Sequence, residues 1–345
     1  MILITGKREK KVSRERPRIG DVARIAGVST ATVSRALSNP ALVSAETRAA
    51  VMDAVEATGY RLNQAARNLR HRRTGAIVAL VPNLANPFFS QILSGIASVL
   101  GPAGYNLLIV DTWTAGADRL RDCAEPSLAD GLIVLDGTLP AEIVTGRLPV
   151  VEACEWINGL AAPRVKIDNR AAAGLAIDHL VDLGHRRIGH VAGPPESVLS
   201  VARLAGVRDR LAMRGLSLAE DALYAGDFSL DSGRRAALSW IAQPADLRPT
   251  GLFLASDAMA CGFMAEVQRH GIRVPEQVSI IGFDDIELVS HVSPPLTTIR
   301  QPRTALGRMA AERLLHQLGG AEEAESDTIL PVELVIRSSA TVFAG

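Results

Sequence analysis

A short stretch near the beginning of the chain holds side chains that are suited to reading DNA: Ser29, Thr30, Ala31, Ser34 and Arg35. A guanidinium such as that of Arg35 can donate two hydrogen bonds to guanine O6 and N7, and small residues such as Thr30 and Ala31 can contact a thymine methyl group or a base edge. The hydroxyl of Ser29 can bind a backbone phosphate. The stretch therefore predicts sequence-specific contacts with double-stranded DNA in the major groove.

These side chains need a helix that presents them outward, and the surrounding residues predict one. Ser29 is a preferred N-cap residue, and Val33 and Leu37, four positions apart, are expected to form the buried face of the helix that follows. Gly27 separates this helix from an earlier one, whose expected inner face consists of Val22, Ala23, Ile25 and Ala26. Together these features predict a helix-turn-helix. The alternative is an ordinary helical hairpin with a solvated polar face.

A third helix is expected from Ser44, with Val51, Ala54 and Val55 facing inward, until Gly59 ends it. Three short helices suffice for a compact headpiece, which we place at residues 18–62. The segment 63–74 has too few apolar residues to form a stable helix alone and too many charges to be buried. We therefore expect a linker that needs a partner in order to fold.

Charge is divided unevenly along the chain, although its 37 basic and 37 acidic residues give a formal net charge of zero. The first 73 residues hold 15 lysines and arginines against 6 acidic residues, which leaves 22 against 31 for the remainder. A basic module joined to an acidic body is typical of a protein in which one part binds DNA. Residues 1–17, rich in lysine and arginine without apolar periodicity, are expected to be a disordered basic arm.

Other features of the composition exclude several classes of protein. The cysteines form no CxxC pair and suggest neither disulfides nor a zinc site. No apolar run approaches the roughly 20 residues of a membrane-spanning helix, and the first residues lack the charge order of a secretory signal, so we expect a cytoplasmic protein. No nucleophile elbow or phosphate-binding loop appears. His179, His185 and His190 lack the local cysteine or acidic residues in the arrangement that a metal site requires, so we expect no metal, no cofactor and no enzymatic activity.

From Gly75 onward, short apolar runs alternate with helical segments. The expected strands are Ala76–Val81, Asn106–Val110, Gly131–Leu135, Val150–Val151, Arg187–Val191, Gly251–Leu254 and Val278–Phe283. Strands that alternate with helices predict doubly wound parallel sheets. In such sheets a ligand binds at the carboxyl ends of the strands.

Several of these segments resemble the LacI/GalR family of bacterial transcription regulators. In the headpiece the resemblance rests on GDVARIAGVSTATVSR (Gly20–Arg35), VSAETR (Val43–Arg48) and Gly59–Tyr60. In the remainder it rests on IVALVPNLANPFF (Ile77–Phe89), His179–Gly206, LASDAMACG (Leu254–Gly262) and Val278–Pro302. The resemblance extends from about Arg18 to Ala340.

The resemblance implies an all-α helix-turn-helix headpiece followed by an α/β core of the two-lobed periplasmic-binding-protein type. Three crossovers would join the lobes, near Asp168, Gln301 and Leu330. The core would then span residues 75–345, with the first lobe at about 75–168 plus 302–329 and the second at about 169–301 plus 330–341.

The resemblance also implies a role for the segment after the headpiece. In the family this segment folds into a hinge helix on DNA, paired with that of the other subunit, and a leucine wedges into the minor groove. Leu69 occupies the position of the wedge, and Asn63 and Ala66 share its face. Leu62 stands where the family often has proline, so we expect a less rigid entry into the hinge. A flexible linker is the expected state without DNA.

Matching motifs indicate which side chains would meet a small-molecule effector. Arg203 matches the family's ligand-clamping arginine and Asp284 its acidic partner, and together they offer donors and acceptors to neighbouring hydroxyls. Phe228 stands at the position of an aromatic platform. Three more candidates follow the first strand: Asn86, Phe88 and Phe89. The alternatives are a closed ion pair between Arg203 and Asp284, and two phenylalanines that only fill the core.

Three departures from the family pattern bear on the ligand. Ser256 stands where many sugar-responsive members have asparagine, so one contact is either lost or replaced by Asp257. Glu155 and Trp156 are candidates for the acid and a stacking ring at the end of the strand near Val150, displaced by one residue; the alternative is that this strand ends differently. Trp113 is a candidate for the cavity wall or for a surface interface.

We therefore expect a homodimer that binds a pseudo-palindromic operator, with two headpieces in successive major grooves and two hinges between them. An effector that closes the lobes would change DNA affinity. The segments Asp284–Leu288 and Pro294–Thr298 resemble sugar-responsive members, including ribose-type repressors, which favours a repressor controlled by a monosaccharide. The alternatives are an effector-independent regulator and a solute-binding protein, although the latter would have no use for Arg35 or Leu69. Inducer and corepressor both remain open.

Overall fold

The computed structural model describes residues 17–60, 73–146, 148–320 and 326–343. They fall into two compact units, one before Arg73 and one from Arg73 onward. Among the described residues, no helix combines the length and the apolar character needed to cross a membrane.

The first unit is a bundle of three helices, α1 (Ile19–Ala26), α2 (Thr30–Ser38) and α3 (Ala45–Thr58), with a 3-10 turn at Pro40–Leu42. The backbone N–H of Thr32 donates to Ser29 Oγ over 3.1 Å, and Ser44 caps α3 in the same way. Gly27 and Gly59, with φ of 66° and 64°, end α1 and α3 in the left-handed conformation. The predicted helix starts and ends are confirmed.

The core of this unit consists of Val22, Ala23, Val33, Ala36, Val51 and Ala54. Leu37, Ala26 and Val55 pack against it, as expected. The prediction for Ile25 is wrong, since this side chain is 51% exposed. The buried stripe of α1 runs along Val22, Ala23 and Ala26, and Ile25 lies roughly a third of a turn from its middle.

The second unit contains two six-stranded sheets. The first has the order β11-β5-β4-β3-β1-β2 and the second β12-β10-β9-β8-β6-β7. In the first sheet the strands are β1 (Ala76–Val81), β2 (Asn106–Asp111), β3 (Gly131–Val134), β4 (Val150–Ala153), β5 (Arg164–Ile167) and β11 (Asp327–Leu330). In the second they are β6 (Ile188–Val191), β7 (Leu223–Tyr224), β8 (Gly251–Leu254), β9 (Ser279–Asp284), β10 (Thr297–Arg300) and β12 (Glu333–Val335). All pairings are parallel except that of β10 with β12, which confirms the predicted fold class.

The chain passes between the two sheets three times, after Ile167, after Arg300 and after Leu330. The strands that sequence did not predict are β5, β7, β10, β11 and β12. Each has two to four residues. Four of the five also contain a charged side chain, so they lack the apolar run that identifies a buried strand.

Helices cover the sheets: α4 (Phe88–Leu100), α5 (Ala117–Cys123), α6 (Ala141–Val144), α7 (Asn169–Asp182), α8 (Val198–Met213), α9 (Leu230–Ala242), α10 (Asp257–Arg269) and α11 (Arg303–Leu318). Two further 3-10 turns lie at Glu220–Ala222 and Glu287–Ser290. In the first lobe α11 packs on α4, and in the second α7 packs on α8 and α9 on α10. Because the strands run parallel, the loops at their carboxyl ends are brought to one edge of each sheet, where a ligand can bind.

Replacing Gly307 by alanine should lower the free energy of unfolding. A Cβ atom at this position would lie 2.0 Å from the carbonyl oxygen of Ile92, because α11 approaches the backbone of α4 closely there. We expect a loss of about 1–3 kcal/mol from overpacking, measured by urea unfolding of the full chain. Gly146→Ala is the matched control, since a Cβ atom there would meet nothing within 4 Å. Equal unfolding midpoints for the two variants would contradict this packing.

Candidate functional site

The predicted DNA-reading residues lie on one surface of the headpiece. Thr30, Ala31 and Arg35 are exposed on α2, Ser34 is half-buried beside them, and Ser29 is exposed at the N-terminus of the helix. The opposite side of α2 is anchored in the headpiece core through Val33 and Ala36. The helix is thus fixed from behind, with its polar residues available to a DNA groove. The predicted hinge contacts lie outside the described residues: Asn63, Ala66 and Leu69.

The second unit has a cavity of about 640 Å³ between the carboxyl ends of its two sheets. Loops from both lobes line it. Nine of the ten predicted effector contacts are among the lining residues: Asn86, Phe88, Phe89, Trp113, Glu155, Arg203, Phe228, Ser256 and Asp284.

Arg203 lies in the wall of this cavity and is only 2% exposed. Its Nε donates to Asn169 Oδ1 over 2.9 Å, and its Nη1 donates to the carbonyl oxygen of Ala255 over 2.5 Å. The centre of the guanidinium stacks 3.8 Å from the ring centroid of Phe283. These contacts fix the plane of the guanidinium. In the described part of the chain Arg203 does not form a closed ion pair with Asp284, so its remaining edge is available to a ligand.

Asp284 ends β9 on the same side of the cavity. Its Oδ1 accepts a hydrogen bond from Gln301 Nε2 over 2.8 Å. Burial raises the pKa of Asp284 to about 6, and the positive charge of Arg203 opposes this rise. Asp284 is thus oriented by a bond from Gln301 and at the same time lines the cavity.

Asp257 does not line the cavity, contrary to our expectation. It is fully buried, its Oδ1 accepts from Thr298 Oγ1 over 2.6 Å, and its Oδ2 accepts from the backbone N–H of Ile286 over 2.9 Å. The two carboxylate oxygens thus bind β10 and the segment that follows β9. Ser256 does reach the cavity, but its hydroxyl caps α10 by accepting from Met259 N.

The first lobe contributes two carboxyl groups to the opposite wall. Glu155 Oε2 accepts from the backbone N–H of Gly137 over 3.1 Å, and burial, together with the charge of Asp136, raises the pKa of Glu155 to about 7. Asp136 is 4% exposed and accepts from Thr112 Oγ1 and from the hydroxyl and N–H of Thr138. Sequence reasoning missed Asp136. Its position directly after the expected strand Gly131–Leu135 was the available signal.

The two phenylalanines of the first lobe belong to the core and to the cavity at once. Phe88 and Phe89 are 6% and 5% exposed and pack edge to face, with ring centroids 5.1 Å apart. Both also line the cavity. Phe228, half-buried and with a left-handed φ of 64°, places its ring 5.8 Å from the guanidinium of Arg203. An apolar face for a ligand therefore lies beside its polar contacts.

The two tryptophan candidates differ. The ring of Trp113 lies at the rim of the cavity and is 76% exposed. Trp156 is not among the lining residues, and Lys166 Nζ lies 4.6 Å from its ring centroid. Of the two candidates after β4, Glu155 therefore reaches the cavity and Trp156 does not.

Two of the histidines considered as metal ligands form hydrogen bonds with other groups of the protein. His185 Nδ1 is 2.9 Å from Thr250 Oγ1, and His190 Nδ1 is 2.9 Å from the carbonyl oxygen of Phe253, on whose ring it stacks. Burial lowers the pKa of His190 to about 4. In the described ranges no three histidine, cysteine or acidic side chains come together as a metal site would require.

An exposed reading helix and a two-lobed core with a polar cavity, in one chain, define a ligand-responsive DNA-binding regulator. Comparison with known families agrees. The profile of "Bacterial regulatory proteins, lacI family" matches residues 18–63, and that of "Periplasmic binding protein-like domain" matches residues 177–340.

Individual relatives extend the match over almost the whole chain. The transcriptional repressor CytR of Escherichia coli (strain K12) is 39% identical over 325 residues, which cover 92% of this chain and 95% of CytR. A structure of the Lac repressor dimer bound to operator and the anti-inducer ONPF superposes with a TM-score of 0.82 at 29% identity, over 95% of this chain and 100% of that one. A LacI-family regulator from Enterococcus faecium with bound ribose gives a TM-score of 0.70 at 27% identity, over 77% and 99%. The chain belongs to the LacI family of DNA-binding transcriptional regulators.

Replacing Glu155 by glutamine should make the thermal stability of the ligand-free protein less dependent on pH. A carboxyl whose pKa rises from 4.5 to about 7 on folding binds more protons in the folded state between these values. Its contribution is therefore present at acidic pH and is lost as pH rises through 7. We expect the parent to lose roughly 1–3 kcal/mol more than the variant between pH 5 and 8.

The measurement is a melting curve at several pH values, with Glu142→Gln, which changes an exposed glutamate of α6, as the control. Parallel pH profiles for the parent and Glu155→Gln would show that Glu155 is ionised at neutral pH.

Proposed function

We propose that this chain is a homodimeric transcriptional repressor of the bacterial cytoplasm whose affinity for a pseudo-palindromic operator is set by a small molecule in the interlobe cavity. The observation that carries the proposal is the buried, fully oriented guanidinium of Arg203 at an open cavity, in one chain with an exposed reading helix. The names of the relatives support it, since CytR is a repressor and the Lac repressor dimer is bound to operator. The polar residues of the cavity are arranged for binding a ligand, and we assign the protein no enzymatic activity.

The charges of the cavity favour an uncharged effector. Among the described lining residues, one cation, Arg203, faces five carboxyl groups: Asp136, Glu155, Glu196, Asp227 and Asp284. A phosphate ester would meet an excess of negative charge in a partly desolvated space. A sugar instead offers hydroxyl donors to the carboxylates and oxygen acceptors to the guanidinium, and its C–H face suits Phe228. We therefore propose a monosaccharide, which the ribose-bound relative supports.

The effector contacts we propose are those that the cavity brings together. Arg203, Asp284 and Glu155 would bind hydroxyl groups, Asn86 and Ser256 would add polar contacts, and the rings of Phe88, Phe89, Phe228 and Trp113 would form the apolar walls. Asp257 is not part of this set, because both of its oxygens are used within the protein.

On DNA, we propose that α2 enters the major groove with Thr30, Ala31, Ser34 and Arg35 at the base edges and Ser29 at a phosphate. The hinge residues Asn63, Ala66 and Leu69 would lie in the minor groove between two half-sites. Widening a base step for Leu69 costs a few kcal/mol, which the extra contacts of a bent operator offset.

A two-fold operator requires two copies of the chain. The edge strand β2 offers a surface for the second copy, because Leu108 and Ile109 are 38% and 43% exposed. Exposed apolar residues on a sheet edge are a liability in a monomer. We propose that β2 belongs to the dimer interface.

Replacing Arg35 by alanine should weaken operator binding by about 1–3 kcal/mol and relax the preference at one base position, because one guanidinium reads one base pair. Fluorescence anisotropy with the DNA upstream of the protein's own gene, and with single-base variants of it, measures both effects. Arg48→Ala removes an exposed arginine from α3 and serves as the control for charge alone. Equal losses with every base variant would mean that Arg35 contacts only phosphate.

Replacing Arg203 by lysine should abolish the response to the effector while operator binding without effector persists. Lysine keeps the charge but lacks the planar fork that holds Asn169 and the ligand together. Thermal shift against monosaccharides, beginning with D-ribose, and operator binding test the two parts separately. A parent-like shift in the variant would remove Arg203 from the binding site.

A further inference from the structure

We propose that the bend formed by Asp284 and Asp285, here called the acidic corner, couples ligand binding to the angle between the lobes, with Arg303 as the positioning residue that joins it to the first lobe. This inference rests on the proposed function, because Asp284 is taken as a ligand contact.

The acidic corner has an unusual backbone. Asp284 has a φ of 121° and Asp285 a φ of 56°, in a region that residues with a side chain rarely adopt. Such a conformation costs about 1–3 kcal/mol per residue and persists only where surrounding contacts hold it. The corner follows β9 directly, so its shape decides where the Asp284 carboxylate points.

The contacts that hold the corner come from the end of β10, from the crossover after it and from the segment after β12. Arg300 Nε, at the last residue of β10, donates to Asp285 Oδ2 over 2.6 Å, and Gln301 Nε2, in the crossover, donates to Asp284 Oδ1 over 2.8 Å. Arg337, which follows the last crossover and β12, donates to Asp285 Oδ1 over 2.6 Å. Residues near two of the three crossovers therefore hold the acidic corner, of which Asp284 lines the cavity.

Arg303 connects the acidic corner to the first lobe. It is the first residue of α11 and only 3% exposed, and its Nη2 donates to the backbone oxygen of Asp285 over 2.8 Å. Its Nη1 lies 3.5 Å from the backbone oxygen of Phe88, the first residue of α4 and part of the cavity wall. A buried guanidinium is costly unless its donors are satisfied. Among the described residues the Nε of Arg303 has no hydrogen-bond partner, so the two Nη contacts supply the compensation. One side chain thus joins Phe88, in the cavity wall of the first lobe, to the acidic corner of the second lobe, and a rotation of the lobes must break or exchange one of its contacts.

A second contact crosses between the lobes nearby. Gln91 Nε2, on the first turn of α4, donates to Glu287 Oε1 over 2.7 Å, and Glu287 follows the acidic corner by two positions. Both contacts connect the first turn of α4 with the residues that follow β9, since Arg303 contacts Phe88 and Asp285 and Gln91 contacts Glu287. A ligand that draws Asp284 into the cavity therefore acts on both, and packed elements respond by switching between discrete arrangements.

Operator affinity in the absence of any added ligand tests this coupling. We compare Arg303→Met, which removes the donors, Arg303→Lys, which keeps the charge, and the control Arg308→Met, which changes an exposed arginine of the same helix. The readouts are the urea unfolding midpoint, operator affinity, and hydrogen exchange at residues 284–286 and 88–91. We expect Arg303→Met to change operator affinity at least fivefold and to speed exchange in both segments. Arg303→Lys should recover part of both effects, and Arg308→Met should match the parent.

A lower unfolding midpoint for Arg303→Met with operator affinity within twofold of the parent would overturn the coupling and leave Arg303 a purely structural residue. If Arg303→Met does not fold, Gln91→Ala and Glu287→Ala break the neighbouring contact at the surface, and unchanged operator affinity in both would overturn it equally. Failure of the parent to bind operator would instead contradict the proposed function, and the exchange measurement would still test the link between the two segments.

Discussion

The packing of the second lobe around the cavity depends on the cost of burying one guanidinium, that of Arg203. A charge removed from water is tolerated only where hydrogen bonds and opposite charges replace its hydration. Asn169, at the start of α7, and the carbonyl oxygen after β8 supply two of the bonds to Arg203, and the ring of Phe283 on β9 covers one face. Three elements of the second lobe must therefore meet at one point. The remaining edge of the guanidinium then lies at the cavity. The contacts that compensate its burial therefore also orient it for a ligand.

The carboxyl groups around this cation share the same constraint. Burial raises the pKa of Asp284 to about 6 and that of Glu155 to about 7, and Arg203 opposes both shifts. Each group is held close to the point at which it exchanges a proton near neutral pH. A ligand that offers hydroxyl donors stabilises the ionised forms, whereas an anion does the opposite. The electrostatics of the cavity and the proposed preference for an uncharged polar ligand thus have one cause.

Much of the fold could be predicted because local chemistry determines it. Ser29 and Ser44 start helices, Gly27 and Gly59 end them, and long apolar runs such as β1 are strands. Ile25 could not be placed from its apolar character alone, because neighbouring helices decide which stripe is buried. Short strands such as β5 (RVKI) carry charges that only their place beside β4 and β11 explains.

The residues of the site likewise fall into those that could be predicted from the sequence and those that could not. Residues at the carboxyl ends of strands could be found from their positions, and Asp136 could have been added by the same rule. Asp257 and Asp284 could not be told apart by residue type, because the difference lies in what faces their oxygens: Thr298 and Ile286 for one, the cavity for the other. The role of Arg303 could not be predicted, since its partners are two backbone oxygens, those of Phe88 and Asp285, which only the tertiary fold brings together.

The most direct measurement is the affinity of the full-length protein for its operator at increasing concentrations of a monosaccharide that raises its melting temperature, together with the affinity for that sugar with and without operator. If the cavity controls DNA binding, the operator affinity changes by about 5- to 150-fold, and the sugar affinity changes by the same factor, because coupling between two sites is reciprocal. An operator affinity that stays constant while the cavity is saturated would contradict the link between the cavity and the DNA-binding headpiece.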